Sequence, residues 1–492
     1  MEKATEFVES SQVDEKLSIW RKIGYGVGDI YGGGTATILS FYYLLFLTDV
    51  IRLNPALAGT VILISKLYDA ITDPFEGVIS DRTRTRLGRR RPYLLAGIPL
   101  VFLSFFALFY PVDFAQESTR FVFVICTYLF FSTVVSIVML NYNALQSELS
   151  LDYDERTGLS SARILFSAMA SIICALVPLE IVKALPDVRQ GYIVMGLVFG
   201  AFFAIPFIFT FLSARERKEF QKPPAKFSLR DTLIEPFRVR AFVIVLLMFV
   251  LASIAIDSVS SIVAYFMKYH MLRGDETNYV AGTMLVFQVI SLGFFTAYSR
   301  RTNKRRAFIT GLGIWMVTML FSVFLGPDSP FLFVYIFAAC VGFGLGGYYV
   351  SIYAIFPDLP DVDELRTGER REGIFGALIT LMRKFSGAVG IFIVSNVIAA
   401  TGYVNPVEQV VDGVTRMVDQ PQSDQFILAL RVIFLLVPVI LLSLSIFVAT
   451  RLPLTHQTHA SLNRVLAAHR SGLELDAELQ AEEQELQKLL IG

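Results

Sequence analysis

The sequence predicts an all-α polytopic membrane protein with twelve transmembrane helices in two six-helix halves. Three observations lead there. Of its 492 residues, 54% are apolar and only 17% charged, against about a quarter charged in an ordinary soluble domain, and mean hydropathy is +0.58. Apolar runs of about eighteen or more residues, long enough to cross the hydrocarbon layer, recur along the whole chain. Those runs fall into two sets of six, with a short charged motif repeated at the same place in each set.

The expected spans are residues 24–48, 57–80, 92–112, 120–147, 161–185, 191–213, 239–270, 278–299, 307–326, 330–356, 373–401 and 425–450. The connections after the second, sixth and eighth spans, "DRTRTRLGRRRP", "ARERKEFQKPPAKFSLR" and "RRTNKRR", are rich in Lys and Arg. The opposite connections, such as "DVIRLNPA" and "LGPDSP", are not. Basic loops stay on the cytoplasmic side, so both termini are expected there, in a cell membrane (a plasma or bacterial inner membrane).

The long basic connection at 214–238 divides the chain into an N-terminal half, 1–213, and a C-terminal half, 239–451, followed by a tail at 452–492. "DERTG" at 154–158 follows the fourth span and "DELRTG" at 363–368 follows the tenth. "GVISDRTRTRLGRRR" has a weaker echo in "TAYSRRTNKRR". Parallel six-helix repeats are the architecture of major facilitator transporters, which bind substrate near the midplane between the halves. In the tail, Leu and Val recur at helical spacing among acidic residues, as in an amphipathic helix.

Composition narrows the function classes. Net charge is zero, so no nucleic-acid partner is indicated. Cys126, Cys174 and Cys340 are far apart in sequence and without metal-ligand spacing; they read as buried small hydrophobes. The four histidines, His270, His456, His459 and His469, lie at a span end or in the tail, and no catalytic constellation emerges. An enzyme is not expected, nor an organic cofactor. The polar N-terminus shows no cleavable signal pattern. The glycines of "GYGVGDIYGGG" and "VGFGLGGYY" lack a surrounding βαβ unit and read as close helix packing.

Chemistry concentrates in "KLYDAITDPFEGVISD", residues 66–81. Asp69 and Asp73 share a helix face, with Lys66 one turn before. An acid at the centre of a membrane helix costs about 2.5–3.5 kcal/mol on insertion scales, so it faces a cavity or a partner. Two carboxylates offer hard oxygen ligands suited to sodium, or a place for a proton. The alternative is that Asp73 and Pro74 organise a kink, or that both acids pair with bases. Asp29 in the first span, Arg163 opening the fifth, Asp257 in the seventh and Lys384 in the eleventh are further intramembrane polar groups. Lys384 balances the acids or snorkels to the interface; Asp257 contacts substrate or holds structure.

The pieces "YDAITDP", "RTRLGRRRPYLL", "NYNALQSEL" with "DYDERTGLSSAR", "DLPDVDELRTGERREGIFGAL" and "GY" at 402–403 together resemble the glycoside–pentoside–hexuronide:cation symporters, the melibiose-permease-like branch of the major facilitator superfamily. The resemblance runs from about residue 20 to 450. It implies that Asp69 and Asp73 are the cation (metal) ligands and that Ser136 stands where a threonine hydroxyl lies near the cation. It also implies that Asp29 and Arg163 belong to the sugar pocket, that Tyr349 is its aromatic, and that Lys384 lies close to both sites. Met139 replaces a helix 4 acid and Asn143 a stacking tryptophan, while Asp257 has no acidic counterpart. The cation half of the machinery is retained and the galactoside half altered.

The expected activity is cation-coupled symport, with sodium or a proton, of a sugar or glycoside by alternating access. The expected protein is a monomer in the lipid bilayer. Related sodium-dependent lysolipid transporters share the helix 2 motif and the helix 11 lysine, which makes a lysolipid or other amphipathic solute the alternative. A non-transporting receptor on the same fold ranks lower. Asp81, Arg82, Arg89, Arg90, Arg156 and Arg370 are expected to gate the cytoplasmic side through salt bridges, or else serve only as topology charges.

Overall fold

The computed structural model describes residues 17–149, 153–214, 235–368, 371–411, 414–470 and 477–491. Among the described residues, eleven helical stretches are long and apolar enough to cross a membrane. The first expected span is the exception. It folds as consecutive pieces: α1 (Ile19–Gly26), α2 (Asp29–Ile38) and two π-helical turns, Leu39–Tyr43 and Phe46–Val50. Its glycines bring it close to neighbours, since a Cβ at Gly33 would overlap the Ser167 hydroxyl. Then follow α3 (Pro55–Arg82), α4 (Arg91–Leu108), α5 (Glu117–Leu149), α6 (Tyr153–Lys183) and α7 (Val188–Ser213). The second half holds α8 (Arg240–Tyr265), α9 (Thr277–Arg301), α10 (Lys304–Leu320), α11 (Phe331–Ile355), the short α12 (Leu359–Thr367), α13 (Glu372–Ala400) and α14 (Asp424–Thr450).

Packing divides the chain into two compact units. One comprises residues 1–39, 67–225 and 410–416; the other comprises 40–66, 226–409 and 417–492. The border therefore cuts through the first span, at its first π turn, and through α3. In the first unit, α4 packs on α5 and α7, while α2 runs along α6. In the second, α8 contacts α13 and α14, and α11 contacts α9 and α10. Outward-facing Leu, Ile, Val and Phe are exposed in quantity, as a lipid-covered surface requires.

The repeat foreseen in sequence recurs in backbone detail. After the π turn of the first span, Ile51 N–H donates to Phe46 O (3.1 Å) and Leu53 N–H to Leu47 O (2.9 Å), with Arg52 at φ 59°. After the π turn Phe266–His270 that extends α8, Met271 N–H donates to Phe266 O (2.9 Å) and Arg273 N–H to Met267 O (2.8 Å), with Leu272 at φ 55°. The first and seventh spans thus end in the same left-handed cap.

Three features depart from the sequence reading. A two-stranded hairpin, β1 (Val407–Val411) and β2 (Val414–Val418), interrupts the all-helical pattern between α13 and α14. Cys126 is exposed on α5 and Cys340 half-buried rather than buried, whereas Cys174 is buried; on an apolar membrane helix such a small hydrophobe costs little. The tail forms two helices, α15 (His456–Arg470) and α16 (Ala477–Leu486), ending in a π turn. Leu462, Val465 and Leu466, one stripe of α15, are buried, and α15 packs against α12. Most of the middle connection, 215–234, lies outside the described residues.

Candidate functional site: buried polar clusters on the membrane helices

α3 carries Asp69 and Asp73 one turn apart, with Pro74 inside the helix. Proline withholds one backbone N–H there and loosens the ladder beside the acids. Asp69 is almost wholly buried, and the Ser132 hydroxyl of α5 donates to its Oδ1 at 2.6 Å. Tyr68 and Thr133 hydroxyls meet alongside at 3.1 Å. Asp73 is half-buried. Ser136, the residue expected from the resemblance, is buried one turn beyond Ser132. Any Ser or Thr in an apolar run has the same sequence signature, so Ser132 could not be singled out without α3 and α5 in place. Two carboxylates and hydroxyls form an oxygen donor set that fits a monovalent hard cation. Among the described residues no group of three or more His, Cys, Asp and Glu side chains offers a multidentate metal site.

A second cluster in the same unit gathers Asp29, Arg163 and Asn143, as foreseen, with Gln146 added. Arg163 Nη2 lies 3.2 Å from Asp29 Oδ1 and donates to Asn143 Oδ1 at 2.5 Å, while Nη1 donates to Gln146 Oε1. The guanidinium also sits over the Tyr142 ring, 4.7 Å from its centroid. Asn143 therefore supplies an acceptor to the arginine. Met139 lies against Gly32, whose absent Cβ would also stand 3.1 Å from Asp29 Oδ1.

The second unit holds a third cluster. Asp257 of α8, buried to 4%, receives both terminal nitrogens of Arg383 from α13: Nη1 donates to Oδ2 and Nη2 to Oδ1 (3.0 Å). Sequence reasoning named the neighbouring Lys384, which is half-buried, but not Arg383. The signal was available: an unmatched acid in the seventh span requires a base, and membrane helices rarely leave such a charge alone. Tyr349 is half-buried on α11, parallel to the Tyr353 ring at 6.2 Å and edge-on to Tyr348 at 5.0 Å.

A fourth cluster was not foreseen. Asp49, in the π turn that ends the first span, is buried. It binds Lys268 Nζ (2.6 Å) and the Tyr269 hydroxyl (3.1 Å) from the end of the seventh span, and the Tyr403 hydroxyl. Lys268 also meets Asp419 at 2.7 Å, and Thr48 shares a 2.6 Å bond with Tyr265. Tyr403 is the tyrosine of the "GY" pair. Asp49 escaped notice because it reads as a loop residue at a span boundary.

Of the gating candidates, Arg82 is exposed and Arg89 half-buried. Arg90 is buried and donates to Ser80 Oγ at 2.7 Å. The Asp81 and Arg156 side chains and Arg370 lie outside the described residues. The neighbouring Arg371 grips Asp363 through two 2.7 Å bonds, Arg366 meets Glu235 at 3.0 Å, and Lys22 meets Glu155 at 3.0 Å.

Residues 24–456 match the family model described as MFS/sugar transport protein. The chain belongs to that family. It is 24% identical to the putative glycoside/cation symporter YagG of Escherichia coli, over 93% of this chain and 96% of that one. It is 24% identical to the isoprimeverose transporter of Lactiplantibacillus pentosus, over 80% and 83%, and 23% identical to the sodium-dependent lysophosphatidylcholine symporter 1 of Gallus gallus, over 88% and 86%. Among solved structures it resembles the inward-facing bacterial homologue of ferroportin, with a TM-score of 0.60 at 17% identity over 88% of this chain and 99% of that one. At that identity the likeness shows the fold.

Proposed function

We propose that the protein is a secondary active transporter that couples entry of a monovalent cation to uptake of a sugar or glycoside. The observation that carries this is Asp69: a carboxylate buried in a membrane helix, held by the Ser132 hydroxyl and followed one turn on by Asp73. A buried acid at that depth is retained for an ion or a proton. The family supports transport of sugars, and the names of the glycoside/cation symporter and the isoprimeverose transporter support this substrate class.

In this reading Asp69 and Asp73 take the cation, and its charge lowers the cost of loading substrate into the membrane interior. Inward movement of one positive charge yields about 2.3 kcal/mol per 100 mV of membrane potential. The basic connections face the cytoplasm, as do the termini, which leaves Asp49, Lys268 and Tyr403 on the opposite side. The Asp49 clasp ties the ends of the first and seventh spans. The ion pairs of Arg371 with Asp363 and of Lys22 with Glu155 brace the cytoplasmic ends.

The test is uptake into proteoliposomes with imposed sodium or proton gradients, over neutral glycosides, uronates and one lysophosphatidylcholine. Gradient-driven glycoside uptake that is lost in Asp69→Asn supports the proposal. Uptake of lysophosphatidylcholine alone would move the substrate to the lipid class suggested by the lysophosphatidylcholine relative. Glycoside uptake indifferent to both gradients and to Asp69→Asn would overturn the coupling.

A further inference from the structure

We infer that Arg383 is a substrate-recognition residue of the second half, presenting donors to the hydroxyl oxygens of a neutral sugar while Asp257 cancels its charge. The inference deepens the proposed function and rests on it.

The geometry of the pair is lopsided. Asp257 is occluded at 4% exposure, but the Arg383 side chain is 34% exposed. That exposure is unexpected well inside a 29-residue membrane helix, because a charged head exposed to hydrocarbon is expensive and such groups face the bundle interior or water. Arg383 approaches α8, the span with the largest buried share, 67% of its most apolar stretch. This makes an interior position the favourable one.

A guanidinium carries five N–H donors in a fixed fork. Asp257 takes one from each terminal nitrogen, and among the described residues no other hydrogen bond to Arg383 is made. Three donors remain, Nε–H among them, on a side chain that is 34% exposed. The helix contact is shaped to hold the pair: a Cβ at Gly387 would stand 3.2 Å from Asp257 Oδ2 and 3.4 Å from Arg383 Nη1. A side chain there would crowd both partners, so the small residue lets α13 bring the arginine onto the acid.

Charge selects the ligand class. A lone arginine would favour a carboxylate or a phosphate. With Asp257 in bidentate contact the pair is neutral, and a second carboxylate on the same guanidinium would sit beside the first. Hydroxyl oxygens accept from the remaining donors without that repulsion. The inference is therefore specific: neutral polyhydroxy compounds are favoured over their uronate counterparts.

The experiment uses the full chain in proteoliposomes, with isoprimeverose, methyl β-xyloside, glucose and glucuronate as probes. Asp257→Asn/Arg383→Gln replaces the ion pair with neutral amides of similar shape, so no charge is stranded; melting temperature and sodium-dependent protection of the fold show that the variant is intact. The expected result is a 10- to 100-fold rise in KM for the neutral sugar, the scale of losing hydrogen bonds to a charged donor, with cation protection unchanged. An unaltered KM in the double variant would overturn the inference, since Arg383 would then serve only as counter-ion to Asp257. Preference of the wild type for glucuronate over glucose would overturn the choice of class.

A second measurement does not depend on the panel. In a chain with its three native cysteines replaced by alanine, Arg383→Cys with Asp257→Asn is exposed to a charged, water-soluble thiol reagent from each side of the membrane. Labelling from either side is expected; no labelling from either side would overturn the assignment. Loss of gradient coupling in the wild type would instead strike at the proposed function and leave this labelling result standing.

Discussion

Two acid–arginine pairs, one in each compact unit, use the same residue types in opposite ways. Asp29 and Arg163 join the first span to α6; Asp257 and Arg383 join the seventh span to α13. Arg163 is shared among Asp29, Asn143 and Gln146 and covered by the Tyr142 ring. Among the described residues Arg383 is held by Asp257 alone, in a two-pronged contact. Exposure follows the bonding. Both members of the first pair are mostly occluded, at 16% and 14%, whereas in the second the acid is occluded at 4% and the arginine stands at 34%. Arg163 gives three of its five donors to one carboxylate and two amide oxygens and keeps two, Nε–H among them. Arg383 gives two to a single carboxylate and keeps three. The contrast teaches that a buried charge is best read by counting the donors its partner leaves unused.

The comparison can be broken by removing each arginine in turn. Arg383→Ala strands Asp257 in a dry position, and loss of one partner of a buried pair costs about 3–5 kcal/mol. A large drop in melting temperature is expected, largely restored by adding Asp257→Asn. Arg163→Ala leaves Asp29 better solvated, with neutral amides as the other former acceptors, so the cost is about 1–3 kcal/mol. Equal drops for the two variants, measured by thermal unfolding in one detergent, would erase the distinction.

The small end of the scale lies outside the membrane, where α15 docks on α12. His459 Nε2 stands 3.6 Å from Asp358 and 3.9 Å from Asp361, and these two carboxylates beside it, Asp361 first, raise its pKa above the usual value. The protonated ring therefore stabilises docking fully below about pH 6.5, and that contribution fades as pH rises through the raised folded-state value. At a half-exposed site it is worth about 0–1 kcal/mol. Thermal unfolding between pH 6 and 8 should lose a small pH dependence in His459→Gln.

These contrasts also mark how far the sequence could be read. Helical spans were legible because hydrocarbon admits one backbone solution for long apolar runs, and the repeat was legible because "DERTG" and "DELRTG" kept their spacing. Asp29, Arg163 and Asn143 were foreseen as members of one pocket, and the structure brings them together. The breaks in the first span were not foreseen, since hydropathy does not distinguish α from π turns. Ser132 was not named beside Ser136 because picking out a second hydroxyl one turn away needs the rotation of α5 against α3. Asp49 was missed because it reads as a loop residue at a span boundary, and Arg383 because the base that Asp257 calls for stands more than a hundred residues away. Lys384 was named and its neighbour was not, since only the structure tells which side of α13 meets Asp257.

The measurement that bears most directly on the account is sugar accumulation against its own gradient, in one vesicle preparation, by the wild type and by Asp69→Asn. The account predicts that an inward sodium or proton gradient drives accumulation in the wild type. In the variant, downhill exchange of the sugar would be reduced at most, with no accumulation under either gradient. Accumulation by Asp69→Asn equal to the wild type would contradict it, because the buried carboxylate of α3 would then carry no part of the coupling.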